Sequence, residues 1–144
     1  MRLLGPMIAL LFAFGCQHSA KNNDQQSGEK QGTAKFVFQE ELHNFGSLQA
    51  GEIVAYSFQF TNIGNSKLFI KDAVSDCGCI SVIFPKEPVN PGETGYIEVI
   101  FSSAGEVGKV YKEIRINSNA EPGEMKLMIT ANVQHEMINI YSKN

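Results

Sequence analysis

Three cysteines stand out in this 144-residue chain as residues whose type and spacing could do chemistry. Cys77 and Cys79 flank one glycine in the stretch VSDCGCISV, and Cys16 closes an apolar run far upstream. In an extended strand, side chains two residues apart share a face, so both sulfurs would be presented together. Gly78 lets the backbone bend and keeps the opposite face uncrowded. Four chemistries fit the pair. The first is a Cys77–Cys79 disulfide. Its loop is too small to constrain the unfolded chain by much. Fully extended, the two Cα atoms sit about 7 Å apart, the upper limit for a bridge, and a turn at Gly78 would shorten that. A bridge of this kind is strained and easily reduced. The second is a metal clip. Two thiolates suit Cu(I), which prefers sulfur and accepts few ligands, whereas zinc needs two further donors. His43, His135 and the methionines are the available donors, and none lies at a recognisable ligand spacing. The third is thiol redox catalysis. The usual motif has two residues between the cysteines and sits at a helix N-terminus. Here the spacing is one residue short, no helix is expected, and Asp76 beside Cys77 disfavours the thiolate. The fourth is two small buried thiols that fill space near a strand bend.

Other chemistry is sparse. Glu40 and Glu41 read as a solvated pair with no second carboxylate pair across a cleft. The serines lack a nucleophile elbow, and no glycine-rich phosphate loop is present. His43 and His135 read as local hydrogen-bonding residues. Met125 and Met128 lie on or beside an apolar stripe and read as gap-filling hydrophobes. The net charge is −3 with no cluster of Lys or Arg, which argues against a nucleic-acid surface.

Compartment decides which cysteine chemistry is available. The chain opens MRLLGPMIALLFAFGCQHSAKNN. Arg2 is followed by an apolar run from Leu3 to Phe14. That run is shorter than the roughly 20 residues a membrane span requires and fits a secretory leader. Its end, AFGC, resembles a bacterial lipobox, with Gly15 before a lipidated Cys16. Phe14 and Ala13 fit that pattern less closely, because a larger aliphatic residue followed by a small one is usual there. Residues 1–15 are thus expected to be a lipoprotein signal peptide and Cys16 the acylated N-terminus of the mature chain. Acyl burial at about 0.8 kcal/mol per CH₂ makes an anchor of more than one chain stable. Residues 16–34 hold no large apolar side chain after Cys16, so they are expected to form a flexible tether with a reach of roughly 25 Å. No acidic run follows Cys16, which favours a periplasm-facing domain. There, disulfides are permitted.

Residues 35–144 form one domain of ordinary size. Its segments alternate with the period of strands. In 52–62, Val54, Tyr56, Phe58 and Phe60 share a face; Leu68 and Ile70 do so in 67–74. Ile97, Val99 and Phe101 align in 96–103, Val110, Ile114 and Ile116 in 109–119. Met125, Leu127, Ile129, Ala131 and Val133 align in 125–133. The first strand is expected over 35–46, ending at Gly46. Pro91-Gly92 suits the centre of a type II turn. About seven short strands between Gly/Pro turns predict an all-β, immunoglobulin-like antiparallel β-sandwich.

Four segments carry a family resemblance: FGSLQAGE, YSFQFTNIGNSKLFIKDAVSDCGC, VNPGETGYIEVIF and GKVYKEIRINSN. Together they resemble the bacterial DUF1573 domain, an immunoglobulin-like module related in shape to the ASH/MSP-type sandwiches, over about residues 36–134. Family members usually carry Thr after the second cysteine, where this chain has Ile80. The resemblance implies the sandwich and leaves activity open. Two functions follow as expectations. One is a membrane-anchored, non-catalytic interaction module without a cofactor. Its cell-envelope protein partner would pair with a sheet edge, either the first strand or the segment after Cys79. The other is a periplasmic copper-binding or thiol-redox factor built on Cys77-Gly78-Cys79.

Overall fold

The computed structural model of the protein describes residues 32–135. The expected signal peptide, the lipidated Cys16 and the tether up to residue 31 lie outside the described residues. Every regular element among the described residues is a strand: β1 (Phe36–Phe38), β2 (Leu42–Gln49), β3 (Ile53–Asn62), β4 (Ile70–Val74), β5 (Ile80–Ile83), β6 (Thr94–Ser102), β7 (Gly108–Ser118) and β8 (Glu124–Gln134). They form two four-stranded sheets, ordered β1-β3-β6-β5 and β2-β8-β7-β4.

The period-two pattern sets which face each strand buries. Across β3 and β6 the inner pairs are Val54 with Phe101, Tyr56 with Val99 and Phe58 with Ile97. Across β7 and β8 they include Ile114 with Leu127 and Ile116 with Met125. Phe58, Phe60, Ile97, Phe101, Ile114, Ile116, Leu127 and Ile129 are fully enclosed between the sheets. Each such side chain contributes about 1.5–3 kcal/mol by leaving water. The expected type II turn is present: Glu93 N–H donates to Asn90 O at 3.0 Å, and Gly92 takes a φ of 81°.

Four sequence expectations change. The strand expected over 35–46 is two strands in different sheets. β1 packs Phe36 and Phe38 against Phe60; the polar residues 39–41 then carry the chain around the side of the sandwich. This split makes the count eight rather than seven, and β2 does not stop at Gly46 but runs on to Gln49. The sandwich is also not wholly antiparallel, because β2 lies parallel to β8. A register shift between Asn44 and Ser47 accompanies this pairing. It lets both Phe45 and Leu48 face inward although they are three residues apart. One extra residue opposite a regular strand is a bulge, and Gly46 supplies the positive φ of 74° it uses. Ala34, which the sequence places in the tether, is only 1% exposed. It bridges Ala120, so the folded part reaches back beyond residue 35.

Asn62 continues the inward face of β3 and is fully buried. Its side-chain amide donates to Ser66 O at 2.8 Å and Val89 O at 3.0 Å. Its side-chain oxygen accepts from Gly64 N–H at 3.0 Å and Lys35 N–H at 3.3 Å. One side chain therefore ties the start of the domain, the turn after β3 and the loop before β6 together. Asn62→Ala strands these partners without a substitute, and equilibrium unfolding should show a loss of about 2–4 kcal/mol. Gly95→Ala should be destabilising too, because a Cβ there would collide with the enclosed Phe60 ring.

Candidate functional site

The side crossover from β4 to β5 carries the cysteines. β4 ends at Val74 in one sheet, and β5 starts at Ile80 in the other. Cys77 and Cys79 lie in the turn between them, not in a strand. Ile80 N–H donates to Cys77 O at 3.2 Å, and Cys79 O accepts from Ser102 N–H at 2.9 Å. This turn draws the two Cα atoms to 5.1 Å, and the sulfurs are joined as a disulfide. Both cysteines are half-buried and Gly78 is exposed. A Cβ placed on Gly78 would meet nothing within 4 Å, and its φ is not in the positive region. The glycine is thus not demanded by crowding on the opposite face, contrary to the sequence reading.

Two side chains that the sequence analysis did not single out complete the surroundings. Glu106, in the turn between β6 and β7, places Oε1 4.0 Å from Cys77 Sγ. Lys112 Nζ donates to the same oxygen at 2.6 Å. Their side chains are only 23% and 19% exposed, so the pair is sheltered from solvent and stronger than a fully exposed one. Lys112 pairs with Ile129 in the β7–β8 register, on the inward stripe of Val110, Ile114 and Ile116. A lysine interrupting an apolar stripe was the available signal. Cys77, Cys79 and Glu106 can each bring one ligand atom within 4.8 Å of the others.

Asp76 is turned to another partner. Its carboxylate accepts from both terminal nitrogens of Arg115, at 2.7 and 3.1 Å. That fork raises the guanidinium pKa further above its ordinary value through the hydrogen bond and the charge of Asp76. Its negative charge is therefore matched locally and is not left facing Cys77. The other donors considered for a metal serve elsewhere. His43 stacks on Tyr56, with ring centroids 3.5 Å apart and planes 7° from parallel, and its Nδ1 lies 3.3 Å from Glu40 Oε1. Met125 packs against the core, Met128 is 40% exposed, and His135 is exposed after β8.

The opposite side crossover has its own polar cluster. The Glu40 carboxyl is held below its usual range, chiefly by a hydrogen bond with Tyr56; burial pushes the other way, and His43 adds a smaller lowering through a hydrogen bond and its charge. Tyr56 is raised by the same Glu40 contact. A lowered carboxylate contributes stability above its ordinary value of 4.5, and that contribution is lost as pH falls through the lowered pKa. Tyr56→Phe should therefore flatten the acid limb of a melting temperature–pH profile.

Comparison with known proteins places this geometry. The family model described as "Protein of unknown function (DUF1573)" matches residues 36–133, and the chain belongs to that family. Among curated proteins, none matches the chain. A protein of unknown function from Porphyromonas gingivalis W83 has a similar structure, at a TM-score of 0.62 and 14% identity. The match covers 69% of this chain and 47% of that one, so this chain spans about half of its length. The ASH/PapD-like domain 7 of human CEP192 superposes with a TM-score of 0.59 at 9% identity, covering 72% of this chain and 87% of that chain. The YadV chaperone gives 0.54 at 10% identity over 69% of this chain and 52% of that one. At these identities the likeness is one of fold: an immunoglobulin-like, PapD-like sandwich.

Two expected outcomes test the cysteine turn. An intact mass of the chain purified without reductant should be lighter by two hydrogens than its fully reduced mass. Gly78→Ala should leave the unfolding midpoint within the range of neutral surface changes, about 0.5 kcal/mol.

Proposed function

We propose that this DUF1573-family chain is a periplasm-facing lipoprotein, anchored through acylated Cys16, whose sandwich docks a cell-envelope protein along β5 and carries out no turnover of its own. A PapD-like, immunoglobulin-like domain is suited to scaffolding or chaperone-like work, which fits the expectation of an interaction module. The observation that carries the reading is the character of the β5 edge.

Sheet edges invite foreign strands unless something blunts them. β1 is three residues long. β2 carries the bulge at Asn44–Ser47. β4 holds Lys71 and Asp72 and has its own register shift. β5, Ile80-Ser-Val-Ile83, has no charge, no proline and an unbroken register with β6. Because Cys79 O accepts from Ser102 N–H, the alternation of an antiparallel ladder turns the peptide groups of Ile80 and Val82 away from β6. Ile80 N–H is used by the cysteine turn. Ile80 C=O and both backbone groups of Val82 are left to meet an added strand. Ile83 is 56% exposed beside them, an apolar contact for such a strand.

The reading is tested in cells with a photo-cross-linking residue at Ser81. A discrete adduct with one envelope protein is expected there, and its loss in an Ile83→Lys variant that folds normally. The same cross-linker at exposed Asn132 serves as the control. Absence of a discrete adduct at Ser81, or its persistence in Ile83→Lys, overturns docking along β5. Cys16→Ala should move the chain from the membrane fraction to the soluble fraction; retention in the membrane would sink the anchor.

A further inference from the structure

Three separate elements meet at the cysteine turn. The β4–β5 crossover brings the sulfurs, the β6–β7 turn brings Glu106, and β7 brings Lys112 from its inward face. Glu106 is the donor that the sequence could not supply. It reduces the number of ligands a zinc ion lacks from two to one, and zinc sites commonly leave that fourth position to water. The donor set also discriminates between metals. Cu(I) seeks sulfur and makes little use of a carboxylate, whereas Zn(II) binds thiolate and carboxylate oxygen alike. Two thiolates and one carboxylate carry three negative charges; Zn(II) with Lys112 carries three positive ones. A partly buried group balanced in this way avoids leaving an uncompensated charge in the domain.

We propose that Cys77, Cys79 and Glu106 form a redox-gated Zn(II) site, closed when the two sulfurs are bonded and open when a dithiol has reduced them. In the reducing step a thiolate of the dithiol attacks one cysteine sulfur, and the Cys77–Cys79 bond breaks. The second thiol of the reductant then attacks the mixed disulfide at the reductant's own sulfur and releases the remaining cysteine as its thiolate. Two electrons and two protons pass to the cysteines, and the reductant leaves as its own disulfide. Zn(II) binding then releases the two thiol protons and forms two zinc–sulfur bonds. Both cysteines are half-buried rather than enclosed, and the space over Gly78 is open, so a reductant and an ion can reach them. The role of Lys112 is to hold the Glu106 carboxylate in place beside Cys77 and to balance charge.

The test uses the full chain in detergent, with no partner added. One sample is treated with dithiothreitol and desalted without oxygen; the other is kept oxidised. Each is titrated with Zn(II) against a chromophoric chelator, and in a separate arm with Cu(I) against a copper-selective one. The proposal expects one Zn(II) per reduced chain and none per oxidised chain. Cobalt(II) in place of zinc should give thiolate charge-transfer absorption in the near ultraviolet. Glu106→Gln, which keeps the shape of the side chain, should weaken zinc by about tenfold or more. Cys77→Ser with Cys79→Ser should abolish it. Three results overturn the proposal: no zinc on the reduced chain, equal zinc on the oxidised chain, or tight Cu(I) binding with zinc affinity indifferent to Glu106→Gln. The oxidised wild-type sample needs no substitution, so a misfolded variant does not blunt the test.

Discussion

Two sheets that bury one face against each other leave a chain only the sides of the sandwich along which to change sheet at mid-strand. This constraint organises the protein. Phe58, Phe60 and Phe101 from one sheet and Ile114, Ile116 and Ile129 from the other are wholly enclosed, and no polar backbone could pass between them without stranding its hydrogen-bonding groups. The chain crosses between edge strands along the sides at residues 39–41 and at residues 75–79; its other changes of sheet, β2 to β3, β3 to β4 and β6 to β7, run through the remaining loops. The two side crossings join β1 to β2 on one side, β4 to β5 on the other. Each crossing gathers polar or reactive side chains, Glu40 with His43 and Tyr56 in the first, the cysteines with Glu106 and Lys112 in the second. The chemistry is found where the apolar packing has to end.

The same geometry explains why β5 differs from the other edges. Its first residue is fixed by the cysteine turn, since Ile80 N–H already bonds Cys77 O. Its inward side chains, Ile80 and Val82, pack on the core. A short strand held at one end and backed by the core loses little further freedom when another strand joins it, which lowers the ordering cost of association. The cysteine turn and the open edge are neighbours in sequence because a single crossover produces both.

Much of the fold was legible from alternation. The inward residues of β3, β6, β7 and β8 read directly from the period of two, because those long strands each have one buried face. The turn at Pro91-Gly92 was readable for equally local reasons. What alternation could not show was which sheet a strand joins. The stretch 35–46 reads as one strand since Phe36, Phe38, His43 and Phe45 are all apolar or aromatic; that the polar residues 39–41 mark a change of sheet is a tertiary fact. The parallel pairing of β2 with β8 was equally hidden, because parallel and antiparallel partners present similar patterns at this length. At the site, the cysteines were plain in sequence but their turn was not. Glu106 lies 29 residues from Cys77, beyond any local signal. Lys112 was visible as a flaw in an apolar stripe, and such flaws mark inward charges that need a partner.

The direction of the strands gives the domain a head and a foot. Ala34 enters beside Ala120, at the end where β3 finishes with Asn62 and β7 with Ser118. Cys79 instead bonds Ser102, at the far end of β6, next to the turn that carries Glu106. Strands of nine to eleven residues separate those ends, a height of roughly 30 Å at about 3.3 Å per residue. Under the anchor proposed at Cys16, the domain would be held at its foot, and its cysteine turn would stand at the opposite end, pointed away from the surface of attachment.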